Sequence, residues 1–146
     1  MIKIALDSCS NITIKEAEAM GVTLIPLNIT FGTETYLDEI EIGKKEFYDR
    51  IRTLLTEEIK ELSGDIDLTQ NRYDSGDEVL YISLSAKLSG TYAAAEQAKK
   101  QVGYDKICLY DSETVGECIL FLANEALKYR ADESMEKIVA RLDALK

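Results

Sequence analysis

The sequence predicts an α/β fold: a mainly parallel β-sheet flanked by helices, with a small β-hairpin beside it. Two observations carry this. Short apolar runs alternate with stretches of helical periodicity, at separations that suit crossover connections. The runs at 3–6, 78–84 and 105–110 also each lead into small polar residues, as the carboxyl ends of parallel strands do when a ligand site lies beyond them.

The elements follow in order. KIAL (3–6) is a buried strand that runs into the polar turn DSCSN. TIKEAEAM (13–20) is helical, and Gly21 stops it. VTLIPLNI (22–29) is a second strand that bends or lies at an edge at Pro26, because proline cannot donate to a ladder. TFGTETYLD (30–38) is a hairpin with Gly32-Thr33 near its turn.

Residues 43–62 place Phe47, Ile51, Leu54, Leu55, Ile59 and Leu62 on one face, the spacing of an amphipathic helix. The stretch 63–77 is polar and aperiodic, hence a surface loop. EVLYISL (78–84) is a buried strand. A helix over 88–102 follows, with Ser89 as its N-cap. DKICLYD (105–111) is another strand. The helix at 115–130 is apolar enough to be covered on both sides. Ser134 caps a last helix that carries Glu136 in its first turn, where the helix dipole favours a carboxylate.

Composition limits what such a fold can do. Hydrophobic residues make up 46% of the 146 and charged residues 30%, enough apolar surface for a core and too much for disorder. The net charge of −10 argues against nucleic acid and anionic membranes as partners. No apolar run reaches the roughly 18 residues needed to span a bilayer. MIKIALDS is not a signal peptide, so the expectation is a cytoplasmic protein without membrane insertion.

Cys9, Cys108 and Cys118 are odd in number and widely spaced, which predicts reduced thiols and neither a disulfide framework nor a metal site. Cys9 lies in a polar loop, where a thiol reads as reactive or, more often, as incidental. The chain has no histidine, which excludes histidine general bases and phospho-histidine relays.

Chemistry is therefore sought at the strand ends. Ser89-Gly90-Thr91 opens a helix, whose first turn has free N–H groups and a partial positive charge. Gly90 allows close approach to the backbone, and the hydroxyls of Ser89 and Thr91 can donate to a carboxylate or phosphate. Spacing alone leaves two readings open, an anion site and a plain cap. Asp7 and Asp111 each precede a serine, a pattern that Asx-turns also explain. Tyr92 reads as a packing residue. Ser89 as a nucleophile has neither a histidine base nor a GxSxG elbow.

KIALDSCSNI resembles the KIxxDSxSDL opening of the DegV family. VTLIPLNITFGTETYLDEIEIGKKEFYDRI, DEVLYISLSAKLSGTYAAAEQA and DKICLYDSETVGE are similar in order and spacing. The likeness covers most of the chain apart from 63–77. LSGTY after an apolar strand, with the early Asp-Ser, is specific as a set.

The resemblance implies a bacterial protein that binds a long-chain fatty acid. It implies a carrier, not an enzyme, without cofactor or metal, that presents the acyl carboxylate to a separate ATP-binding kinase subunit. Carried onto this sequence, Ser89 hydrogen-bonds the carboxylate, Gly90 and Thr91 shape the site, and Ser8 and Ser10 line the same mouth.

Two departures accompany the likeness. The family's TSQPS-type segment, whose Thr helps hold the carboxylate, has only Thr69-Gln70 as its nearest echo. Family members are also roughly twice as long, with a second domain that closes over the acyl chain. The chain is thus expected to be a single DegV-like domain over 1–146, lacking the C-terminal lid. Such a domain would bind weakly, form a homodimer or need a partner chain. It is read as an excised domain, a short form that pairs with another chain, or a relic that no longer binds lipid. A degenerate domain with an assembly or regulatory role is the alternative. A related kinase-like α/β enzyme would need a histidine and ranks last.

Overall fold

The computed structural model describes residues 1–53 and 76–146. The predicted helix positions Leu54, Leu55, Ile59 and Leu62, most of the 63–77 loop, and Thr69-Gln70 lie outside the described residues.

Four strands form one parallel sheet: β1 (Ile2–Asp7), β2 (Thr23–Ile25), β5 (Glu78–Ser83) and β6 (Ile107–Asp111). Their spatial order is β2-β1-β5-β6. Ala5 lies opposite Thr23 on one side and Tyr81 on the other. Both faces of β1 and β5 are covered, which explains the near-continuous apolar runs that announced them. The connection from β1 to β2 moves one way along the sheet, and that from β5 to β6 moves the other. The reversal between β1 and β5 is a topological switch point, where open α/β sheets place ligands.

Helix α1 (Ile14–Met20) starts with a capping box. The Thr13 hydroxyl accepts the Glu16 N–H, and the Glu16 carboxylate accepts the Thr13 N–H at 2.7 Å. Gly21 ends it at φ +66°, a left-handed conformation that glycine adopts without strain. Pro26 falls between β2 and β3 (Asn28–Phe31), where the chain leaves the main sheet.

Strand β3 pairs antiparallel with β4 (Glu34–Leu37), and Gly32 turns the hairpin at φ +60°. Ile29, Phe31 and Ile42 form a small cluster under it, against Tyr36 and against Phe47 of α2 (Lys44–Thr53).

The larger core lies on one sheet face. Ile2, Ile4, Leu6, Leu80 and Ile82 meet Ala17 of α1, Ile119, Leu122 and Ala123 of α4 (Glu117–Tyr129), and Ile138 and Leu142 of α5 (Met135–Asp143). On the opposite face Ala5, Ile25, Val79, Tyr81 and Ile107 pack with Ala95 of α3 (Thr91–Val102). Burying each large aliphatic side chain contributes about 1.5–3 kcal/mol.

Three local expectations are corrected. Helix α3 begins at Thr91 with Gly90 at its N-cap, because residues 85–89 fold into a turn of their own. Ser89 therefore precedes the cap, and its hydroxyl accepts the Thr91 N–H at 3.2 Å. Ser134 does occupy the N-cap of α5, yet its side chain accepts no capping bond; it donates to Glu136 instead. Helix α4 is covered on one face only, since Cys118 and Phe121 are exposed on the other.

Candidate functional site

Three loops meet beyond the carboxyl ends of β1, β5 and β6, and backbone bonds tie them together. The Gly116 N–H donates to the Cys9 carbonyl at 3.0 Å, the Ser85 N–H to Thr114 at 2.9 Å, and the Ser112 N–H to Ser83 at 3.1 Å. Each loop thus has a fixed position relative to the switch point.

The turn after β5 carries Ser89, Gly90 and Thr91, the residues in which the sequence leads one to expect an anion site. The carbonyl of Ser85 accepts the N–H groups of Leu88 at 3.0 Å and Ser89 at 3.2 Å. This lifts Ser89, half-buried, and Gly90, exposed, to the surface at the start of α3. The hydroxyls of Ser89 and Thr91 are 2.8 Å apart. Thr91 is 1% exposed, so Ser89 is the hydroxyl of the pair that a ligand can reach. Among the described residues, a Cβ built on Gly90 would meet nothing within 4 Å, which leaves open space above it there. Leu88 and Val115 add exposed apolar surface on the neighbouring loops.

The turn after β1 supplies Ser8 and Ser10, both buried. The Ser8 hydroxyl accepts the Leu27 N–H at 3.1 Å and donates to the Asp38 carboxylate. The Ser10 hydroxyl donates to the Asp7 carbonyl at 2.8 Å. Ser89, Gly90 and Thr91 thus form one turn. Ser8 and Ser10 belong to its neighbour, with hydroxyls committed within the chain.

Asp7 joins the two turns. Its Oδ2 accepts the Leu84 N–H at 2.7 Å and the Tyr81 hydroxyl at 3.2 Å. Its Oδ1 is buried and takes no hydrogen bond of good geometry among the described residues. Burial pushes the carboxyl up to about 6, against the pull of the Leu84 N–H, the Tyr81 hydroxyl and the Cys9 N–H. The sequence leaves Asp7 open between an Asx-type turn and a functional carboxylate. The signal for its partner was Tyr81, a phenol among the apolar residues 79–82 of β5.

Burial also pushes the Cys9 thiol up to about 12, with the charges of Asp7 and Asp38 adding to the effect. Of the two readings of Cys9, burial favours the incidental one: the loop is polar, but Cys9 is half-buried and packs against the core. Burial raises Asp38 and Glu39 as well, in part offset by Lys44. Lys44 itself donates to the Asn11 carbonyl at 2.9 Å.

On the third loop, Asp111 Oδ1 accepts the N–H groups of Ala86 at 3.1 Å and Glu113 at 3.0 Å, an Asx-type role. Tyr92 is half-buried and donates to the Leu109 carbonyl at 3.4 Å, as a packing residue does. Among the described residues no group of acidic or cysteine side chains is arranged to hold a metal, and no helix is long and apolar enough to cross a membrane.

Comparisons with known proteins agree on one family. The family model described as "Uncharacterised protein, DegV family" matches residues 1–146. A DegV domain-containing protein of Halalkalibacterium halodurans is 31% identical, over all of this chain and 54% of its own length. Protein DegV of Bacillus subtilis is 30% identical, over 99% of this chain and 53% of its own.

The crystal structure of DegV from Bacillus subtilis, described as a fatty acid binding protein, superposes with a TM-score of 0.78 at 28% identity. It is covered over 52% of its length, and this chain over 98%. A Thermus thermophilus DegV family structure, also at 0.78 but 23% identical, shares the fold; 99% of this chain and 52% of that one are covered. The chain spans about half the length of the curated relatives it matches.

Proposed function

This chain belongs to the DegV family, and from that premise we propose that it binds a long-chain fatty acid by its carboxylate at the Ser89–Thr91 turn. One observation carries the reading. A half-exposed hydroxyl stands beside a glycine with open space above it, at the positive end of a twelve-residue helix and next to the sheet's switch point. The relative described as a fatty acid binding protein supports the choice of ligand.

In this reading the Ser89 hydroxyl donates to the carboxylate and Gly90 leaves room for it. Thr91 sets the rotamer of Ser89 through their mutual hydrogen bond. Ser8 and Ser10 back the mouth from the adjoining turn. The donors are neutral, which suits an anion on a chain of net charge −10.

The acyl tail gains about 0.8 kcal/mol per buried CH₂, so it needs apolar cover. Exposed Leu88 and Val115 are where that cover starts. A partner chain or a second copy completes it. The headgroup then stays accessible to a separate kinase subunit, and the domain acts as a carrier without chemistry of its own.

Native mass spectrometry of the gently purified chain tests the reading, together with retention of radiolabelled oleate. A hydrogen bond to a charged group contributes about 1.5–3 kcal/mol, so Ser89→Ala should weaken oleate binding roughly tenfold or more. Unchanged binding by Ser89→Ala would place the carboxylate elsewhere. If no lipid is retained, and delipidation alters neither melting nor oligomeric state, the domain serves assembly instead.

A further inference from the structure

Asp7 ends β1 beside the switch point. Strand alternation puts its side chain, with Ala5, on the sheet face that α3 covers, and puts Tyr81 and Ser83 of β5 on that face too. Its Oδ2 holds the Leu84 N–H, the first residue after β5. From Leu84 the chain passes directly to Ser85, whose carbonyl holds the Ser89 N–H. One buried carboxyl thus anchors the root of the turn whose tip carries Ser89.

Among the described residues, the surroundings of that carboxyl are almost free of compensating charge. From β5 it meets the Tyr81 hydroxyl, and burial keeps that phenol protonated. From the turn after β1 it meets Cys9, whose thiol is neutral at ordinary pH. Beyond Cys9 lies Asp38, held by the Ser8 hydroxyl and the Glu39 N–H and tempered by Lys44. From α3 the buried residues are Thr91 and Ala95, both uncharged. On β6, Asp111 is occupied by the Ala86 and Glu113 N–H groups. Helices α4 and α5 present apolar side chains to the opposite face.

We propose that Asp7 is a positioning residue for the anion site at Ser89, fixing the turn through Leu84 while opposing a bound anion whenever it is itself ionised. The proposal rests on the reading of residues 89–91 as a carboxylate site. It goes further by assigning the pH dependence of that site to a residue that does not touch the ligand. With a proton on Oδ1, Oδ2 still accepts from Leu84 and the site is neutral beneath. Once the proton leaves, a buried negative charge competes with the ligand for the positive end of α3. Fatty-acid affinity should therefore be higher on the acid side of neutrality.

The test measures radiolabelled oleate binding to the parent chain, Asp7→Asn and Ser89→Ala between pH 5 and pH 8. Comparing variant with parent at each pH cancels the ligand's own ionisation. Asp7→Asn should match the parent at pH 5 and bind roughly three- to tenfold tighter at pH 8. A variant-to-parent ratio that stays constant across the range overturns the proposal. Ser89→Ala separates the two claims. If it weakens binding at every pH while the Asp7 ratio stays flat, the carboxylate site stands and the role of Asp7 falls. If Ser89→Ala binds like the parent, both fall.

Circular dichroism checks that Asp7→Asn folds. Tyr81→Phe provides a second route, because it removes a donor to the ionised carboxylate. It should move the midpoint of the affinity profile to higher pH, and an unmoved midpoint counts against the proposal as directly.

Discussion

The Asp7 carboxylate accepts the backbone N–H of Leu84, 77 residues away in sequence, at 2.7 Å, across the junction of two parallel strands. This bond locks the polar turn after β1 to the one after β5. It also uses only one oxygen of a fully buried carboxyl, and among the described residues the other has no hydrogen bond of good geometry. Stability and function both inherit that imbalance.

The first consequence concerns pH. The folded-state pKa of Asp7 is raised from an ordinary 3.8 to about 6, so the folded chain holds this proton more tightly than the unfolded chain does. The resulting stabilisation is complete below pH ~4 and is lost as pH rises through about 6. Two units correspond to about 3 kcal/mol. Urea unfolding at pH 4 and pH 7.5 should show that Asp7→Asn lacks this component of the parent's decline. Parallel pH profiles for the two proteins would refute the assignment.

Thiol chemistry should follow burial. Cys9 is pushed up to about 12, against an ordinary 9.0, which lowers its thiolate fraction about a thousandfold. Cys118 is exposed on α4. Alkylation with iodoacetamide at pH 8, read by peptide mass spectrometry, should label Cys118 first and leave Cys9 intact until the chain unfolds. Early labelling of Cys9 in native protein would contradict the burial argument.

Gly90 gives a clean separation of stability from binding. Its backbone lies at φ −72°, which any residue tolerates, and an added Cβ meets nothing within 4 Å among the described residues. Gly90→Val should therefore shift the unfolding free energy by no more than about 1 kcal/mol. Oleate retention should nevertheless fall, because the added methyl groups fill the approach to Ser89. Full retention by a stable Gly90→Val protein would mean that no ligand passes there.

Helix α1 depends on its start. Thr13→Ala removes the side-chain half of the capping box and should cost about 0.5–2 kcal/mol in denaturant unfolding. Ile138→Ala removes a side chain with 0% exposure beneath α5 and should cost about 2–5 kcal/mol. If the cap mutant proves more damaging than the core mutant, this ordering of effects is wrong.

Much of the architecture could be read locally. Apolar runs at 3–6, 78–84 and 105–111 became the central strands and one edge strand. Pro26 marked where the chain leaves the sheet, Gly21 marked the end of α1, and Gly32 marked the hairpin turn. These signals are short-range: period, a missing donor, a positive φ. The turn at 89–91 was also visible as a candidate, because a serine-glycine-threonine run after an apolar strand is a local pattern.

Ser89 itself shows where local reading ends. Whether a serine caps a helix or precedes the cap depends on where the chain stops turning, and the Ser85 carbonyl decided that by drawing in the Leu88 and Ser89 N–H groups. The burial of Ser8 and Ser10 depended on β2 and the hairpin arriving beside them with the Leu27 N–H and Asp38.

By itself the sequence determined the alternation of strands and helices, the break at Pro26 and the serine-glycine-threonine turn after β5. Each of these depends on residues within a few positions of one another. Tertiary structure alone decided that Asp7 meets Tyr81 and Leu84, that Cys9 turns inward, and that Ser89 stays within reach of solvent. Burial and cross-strand register are set by segments distant in the chain, and desolvation, which sets the charge state of Asp7, exists only once those segments have closed around it.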